Sequence, residues 1–201
     1  MKILLDMKLI NRIICIIILI FSFQSWTKAD NISDFEIEGM SARDSLLKYI
    51  TKAEIEKKKS SYSDKGYIYP SKKYYALTFN DFPNLKQYDQ LQFHLKDKDN
   101  TYTIYGLAGV KLFGNNFESC YELMDTIELE LDNALKSATK EKYPRKESWT
   151  GQGYITSIYY WYDNLSNINI ACEDWSKESN IPDGLAVSII TSSMQSWINS
   201  Q

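Results

Sequence analysis

The 201-residue chain is predicted to be an α+β domain: an antiparallel sheet of about six to seven strands, one long helix across a face, and short helices at both ends. Three observations carry that prediction. Apolar residues recur at period two in several runs joined by turn chemistry. One segment keeps three-four spacing long enough for a full-length helix. Helix signals sit at the two ends and mid-chain instead of alternating with strands, which disfavours a parallel α/β sheet.

The elements follow in order. Ser41, with Asp44 three residues on, reads as the cap of a first helix carrying Leu46, Leu47 and Ile50 on its buried side. Thr51 and Glu54 repeat the capping-box spacing, so a second short helix is expected to about Lys58, with residues 57–61 (KKKSS) looping out as a solvated stretch. Residues 66–70 and 73–79 are rich in Tyr, Ile and Phe and read as strands, and residues 80–84 (NDFPN) as a turn. Residues 90–96 alternate, with Leu91, Phe93 and Leu95 on one face; residues 96–100 turn the chain into a long strand over 102–113, in which Gly106 and Gly109 mark a bend or bulge. Asn115 or Asn116 is expected to cap the long helix, residues 117–138, whose apolar stripe is Phe117, Cys120, Met124, Ile127, Leu131 and Leu135. Pro144 marks the loop after it. Residues 154–162 and 167–173 form a hairpin, residues 185–191 the last strand, and Ser192 or Ser193 caps a terminal helix carrying Met194, Trp197 and Ile198.

The beginning of the chain reads differently. Residues 13–23 (IICIIILIFSF) are apolar, Lys8 and Arg12 precede them, and Thr27, Lys28 and Ala29 follow with a small-x-small exit. That pattern is a secretory signal peptide, residues 1–29, cleaved after about Ala29, leaving residues 30–201 as a single domain. Eleven helical residues span about 16 Å, short of the roughly 30 Å of hydrocarbon a membrane anchor must cross. Cys15 lacks the small residues that precede a lipid-bearing cysteine. The expected location is the periplasm, with no membrane association after cleavage.

Without the leader, which holds four basic residues and one acidic, the balance is more acidic than the −3 of the whole chain. An acidic domain has little affinity for nucleic acid or anionic lipid. Two cysteines remain, Cys120 and Cys172, and in an oxidising compartment they are expected to form one disulfide, since no CxxC occurs and their separation is long.

Chemistry is sparsely signalled. His94 is the only histidine, out of phase with its apolar neighbours, and so is expected on the wetter face. No cluster has metal-ligand spacing, and no cofactor motif is present. Glu173 and Asp174 beside Trp175 are the most site-like carboxylates. The most unusual stretch is residues 154–162 (YITSIYYWY), where Tyr160 and Tyr162 face one way and Tyr159 and Trp161 the other. One set is expected to pack under the helix and the other to offer a platform, so Tyr160, Trp161, Tyr162 and Trp175 are the candidate binding residues.

Residues 34–41 (DFEIEGMS) followed by 44–47 (DSLL), Cys120 on a helix, and 171–175 (ACEDW) resemble a family of small exported proteins of marine bacteria. The resemblance spans essentially the whole mature chain. The family is of unknown function, so it implies export and no activity, cofactor or site residue. Arg43 departs from the pattern, since many members have glycine before the aspartate. The expectation that results is a periplasmic module that binds a partner protein or small ligand, with a small hydrolase using Asp/Glu acid–base chemistry as the alternative.

Overall fold

Two hairpin-linked ribbons meet in the middle of one sheet. The computed structural model describes residues 32–61, 69, 71–83, 85–114, 116–148, 151–162, 165–179 and 182–201. The leader therefore lies outside the described residues, as does most of the strand expected over residues 66–70. After a two-stranded ribbon, β1 (Glu36–Ile37) and β2 (Met40–Ser41), come α1 (Lys52–Ser61), β3 (Tyr74–Phe79), β4 (Gln90–Lys96), β5 (Ile104–Leu112) and α2 (Glu118–Ala134). They are followed by β6 (Thr139–Glu147), β7 (Gly153–Trp161), β8 (Asn167–Trp175), β9 (Gly184–Ile190) and α3 (Ser192–Ile198). The main sheet has seven strands in the order β3-β4-β5-β9-β8-β7-β6, every neighbouring pair antiparallel. Helix α2 carries the chain from central β5 to the far edge, and the meander β6 to β9 walks back until β9 pairs with β5.

The register separates the two faces residue by residue. On one face Leu77, Phe93, Leu107, Ile189, Ile168 and Tyr160 lie abreast from β3 to β7, and the adjacent row holds Phe79, Leu91, Val187, Ile170 and Ile158. These join Met124, Ile127 and Leu131 of α2 in one core. At 25 cal/mol per Å² of apolar surface, a fully buried aliphatic of this kind contributes about 1.5–3 kcal/mol. Cys120 on α2 and Cys172 on β8 are both fully buried and joined by a disulfide, with their Cα atoms 6.0 Å apart.

Local chemistry explains the elements that matched expectation. The Thr51 amide and hydroxyl both donate to Glu54, and the Glu54 amide donates back to the Thr51 hydroxyl at 3.3 Å, which starts α1. Gly109 belongs to the helix-side row, where a Cβ would lie 2.6 Å from the Tyr88 ring; only glycine admits that ring. Glu38 holds the Tyr88 loop in place, its carboxylate accepting from the amides of Lys86, Gln87 and Tyr88. The β5 bulge falls at Tyr105, where the register slips opposite His94 and Leu95.

Several elements differ from the sequence reading. No helix starts at Ser41, which is in β2; Asp44 accepts the Ser41 amide at 3.4 Å but also the Tyr49 hydroxyl and the Lys48 ammonium, and the chain makes only a 3-10 turn, Leu46–Lys48. Leu47 is exposed as a result. Residues 57–61 belong to α1, because Lys58 and Lys59 lie over the rings of Phe79 and Tyr75 and their stems extend the helix contact with β3. Helix α2 stops at Ala134, since the chain must turn at once into β6. The residue capping it is Phe117, without a side-chain cap bond, while Asn116 donates to the Ser119 hydroxyl. Helix α3 is capped by Thr191, whose hydroxyl donates to the Tyr105 carbonyl.

The largest omission is β6. Its sequence, TKEKYPRKE, shows no period-two pattern because an edge strand with both faces largely wet has no apolar row to display. Pro144 sits where the pairing with β7 slips between Tyr143 and Lys146, a bulge that accommodates a residue without an amide proton. Lysines and proline on an unpaired edge also discourage further strand addition.

Candidate functional site

The second face of the sheet carries no described helix except α3 at one end. Reading across from β3, one row is Thr78, Gln92, Ala108, Ser188, Asn169, Tyr159 and Glu141. The row beside it is Ala76, His94, Gly106, Ile190, Asn167, Trp161 and Thr139. The middle of this face is floored by small side chains, among them Ala108, Ala186, Ala171 and Ser157, all buried.

At the β6–β7 side the face rises into an aromatic ledge. The Tyr159 and Trp161 rings lie parallel, 8° apart with centroids 5.2 Å distant, because residues two apart on a strand project on one side. Tyr143 meets Tyr159 edge-on at 5.4 Å. Glu141 ties the two outer rings to each other: it accepts from the Trp161 indole nitrogen at 3.0 Å and from the Tyr143 hydroxyl at 2.6 Å. That hydrogen bond pushes the Tyr143 phenol above its ordinary range. All three rings remain partly exposed.

The four aromatic residues singled out in the sequence do not converge. Tyr160 points to the helix side and is 1% exposed; its hydroxyl donates to Asp132 at 2.8 Å and to the Glu128 carbonyl at 3.2 Å. It forms part of the core, closed to a ligand. Lys140 and Lys142 flank it and pair with Glu128; burial works to raise that carboxyl, but the two ammonium groups outweigh it and leave it low. Tyr162 packs against the same core. Trp161 stands on the ledge. Trp175 shares its face, but eight residues of β7 separate Trp161 from Trp175's cross-strand partner Gly153, about 26 Å of strand.

Trp175 instead forms a small site of its own. Its ring lies over Gly153, where a Cβ would meet Cε3 at 3.1 Å, and its indole nitrogen donates to Glu173 at 3.1 Å. Burial pushes the Glu173 carboxyl up, and the indole hydrogen bond lowers it only partly. Asp174 projects to the opposite face, where it pairs with Arg145. The adjacent carboxylates of the sequence are therefore on different sides of the sheet. Glu141, on the same face as Glu173, lies two strands away and four residues along, about 16 Å by strand geometry. A glycosidase pair needs roughly 5–9.5 Å.

His94 corrects the expectation of a wet position. It is on the second face, as its phase predicts, but α3 covers that end, and the residue is 8% exposed. The Tyr69 hydroxyl lies 2.9 Å from Nδ1, and Trp197 and Tyr74 pack alongside in a second small core with Met194 and Ile190. Burial lowers its pKa to about 4.

Sequence reasoning missed Tyr143 and Glu141, because β6 read as a loop, and the asparagines of β8, because the strand was legible there but its cross-strand neighbours Tyr159 and Trp161 were not. No group of three or more His, Cys, Asp or Glu residues among those described is placed to hold a metal ion. No family model, curated protein or solved structure matches the chain.

Proposed function

We propose that this chain is an exported, periplasmic binding module whose ligand or partner seats on the aromatic ledge of the sheet face on which α3 is the one described helix. The observation that carries the reading is the Tyr159–Trp161 pair, two large rings held parallel and partly exposed where no described element packs on them. Monomeric domains seldom leave such surface uncovered without a use for it. The disulfide suits an oxidising compartment, and among the described residues no helix is long and apolar enough to cross a membrane. The resemblance to small exported proteins points the same way.

The alternative, a small periplasmic hydrolase working by Asp/Glu chemistry, draws on Glu173, a carboxyl that burial pushes above its ordinary range beside an indole. Burial alone accounts for the rise, against the opposing Trp175 hydrogen bond, with no second carboxylate contributing. Binding is the stronger reading.

The test compares Trp161→Ala with Tyr160→Ala. Trp161→Ala is expected to cost less than about 1.5 kcal/mol of stability and to abolish the fluorescence enhancement of an apolar aromatic probe, N-phenyl-1-naphthylamine. Tyr160→Ala is expected to cost about 3 kcal/mol or more, as for a core aromatic. Equal losses of stability from both variants, with no probe binding by the parent, would end the ledge reading.

A further inference from the structure

Two asparagines on β8 have side-chain oxygens that no described residue satisfies. Asn167 lies directly opposite Trp161, and Asn169 directly opposite Tyr159. Cross-strand partners hold their Cβ atoms about 5 Å apart, so both amides border the ledge. Each Oδ1 is buried and has no hydrogen-bond partner among the described residues. For Asn167, 0% exposed, the amide orientation is fixed: its nitrogen donates to the Leu165 backbone carbonyl at 3.3 Å and to Gln195 Oε1 at 3.0 Å. Rotating the amide would set its oxygen against a carbonyl oxygen that cannot donate. An orphaned buried acceptor is costly to maintain, and these two stand in line beside the ledge.

From this we infer that the ledge binds a neutral saccharide, with a sugar ring against the Trp161 indole and its hydroxyls donating to Asn167 Oδ1 and Asn169 Oδ1. The inference rests on the binding reading above and adds the ligand class. Three features select a sugar. The acceptors require a ligand rich in O–H or N–H donors. A parallel ring pair whose Tyr159 end is closed edge-on by Tyr143 offers one flat face, that of Trp161, and no convergent cage for a cation. Glu141, already engaged by the Trp161 and Tyr143 donors, and Lys146, whose ammonium lies 5.5 Å from the centre of the Tyr143 ring, put one charge of each sign at the ledge, which gives an ionic ligand of either sign no advantage. A strand-forming peptide is disfavoured too, because the acceptors are side chains on a sheet face and not backbone groups on an edge. Gln195 of α3, half-buried and bonded to the Asn167 amide, is the side chain that must shift to admit the ligand.

The experiment titrates the mature protein with chitotetraose, cellotetraose and, separately, the uncharged probe N-phenyl-1-naphthylamine, reading tryptophan fluorescence and calorimetry. At least one tetrasaccharide is expected to bind. Trp161→Ala should weaken it about tenfold or more, and Asn169→Leu about fivefold, while Asn169→Leu leaves the aromatic probe's affinity unchanged. Saccharide binding that ignores both substitutions overturns the assignment to the ledge. Binding of the aromatic probe with Trp161 dependence, but of neither saccharide, overturns the ligand class and leaves the binding reading standing. Binding of none of the three overturns both.

Discussion

Removing the Cys120–Cys172 crosslink tests how the crossing helix is held to the sheet. The bond closes a loop 52 residues apart in sequence that contains most of α2, all of β6 and β7, and half of β8. In the chain-entropy model a loop of that length contributes about 4 kcal/mol, by removing conformations from the unfolded chain. Both sulfurs are fully buried between α2 and β8, so a double replacement by alanine adds a small packing loss and leaves no lone thiol. The assay is urea unfolding at neutral pH, comparing the parent with Cys120→Ala/Cys172→Ala. With a slope of about 2 kcal/mol per molar urea, the midpoint is expected to fall by about 2 M. The slope should also decrease for the crosslinked parent, whose unfolded chain exposes less surface. A midpoint shift below about 0.5 M would refute the reasoning, since the helix would then be held by its apolar stripe alone.

Two pH-dependent predictions follow from the buried titratable groups. His94 has its pKa lowered to about 4 by burial, against 6.5 in the unfolded chain. The unfolded state therefore binds the extra proton, and stability, complete above about pH 6.5, is lost as pH falls toward 4. His94→Gln should flatten that part of the stability–pH curve measured by thermal unfolding; an unchanged slope would show that His94 is wetter than its packing under α3 implies. Glu173 has the opposite linkage: its carboxyl is raised by burial, so the folded state binds the proton more tightly and stability falls as pH rises above the ordinary carboxyl range. Glu173→Gln is expected to raise the melting temperature at pH 7–8 and to have little effect near pH 4, and the reverse pattern would contradict the burial argument.

How much was legible can be traced to particular residues. Leu91, Phe93 and Leu95 alternate because one face of β4 is apolar and fully buried while the other carries the polar Gln90, Gln92 and His94, and period-two contrast of that kind survives in a bare sequence. The stripe from Cys120 to Leu135 was legible for the same reason at helical period. His94 was placed on the correct face and given the wrong environment, because the element that covers it, α3, lies a hundred residues away in the chain. β6 was invisible: an edge strand with wet faces has no hydrophobic signature, and its proline argues against the strand that its bulge permits. The ledge suffered accordingly. Trp161 was singled out, but its partners Glu141 and Tyr143 lay in the segment read as loop, and Tyr160, adjacent in sequence, turned out to be interior.

By itself the sequence determined the α+β class, the long amphipathic helix, the apolar face of the strand carrying Leu91, Phe93 and Leu95, and the cysteine pair available for a crosslink. These depend on local periodicity and composition, and each is written within a few turns of chain. The order β3-β4-β5-β9-β8-β7-β6, the return of β9 to β5, and the meeting of Trp161 with Glu141 and of Asn167 with Gln195 were decided only by the tertiary structure. Antiparallel strands carry the same period-two pattern whichever neighbour they choose. Their partners are selected by how the whole apolar face closes under α2, a property no single segment encodes.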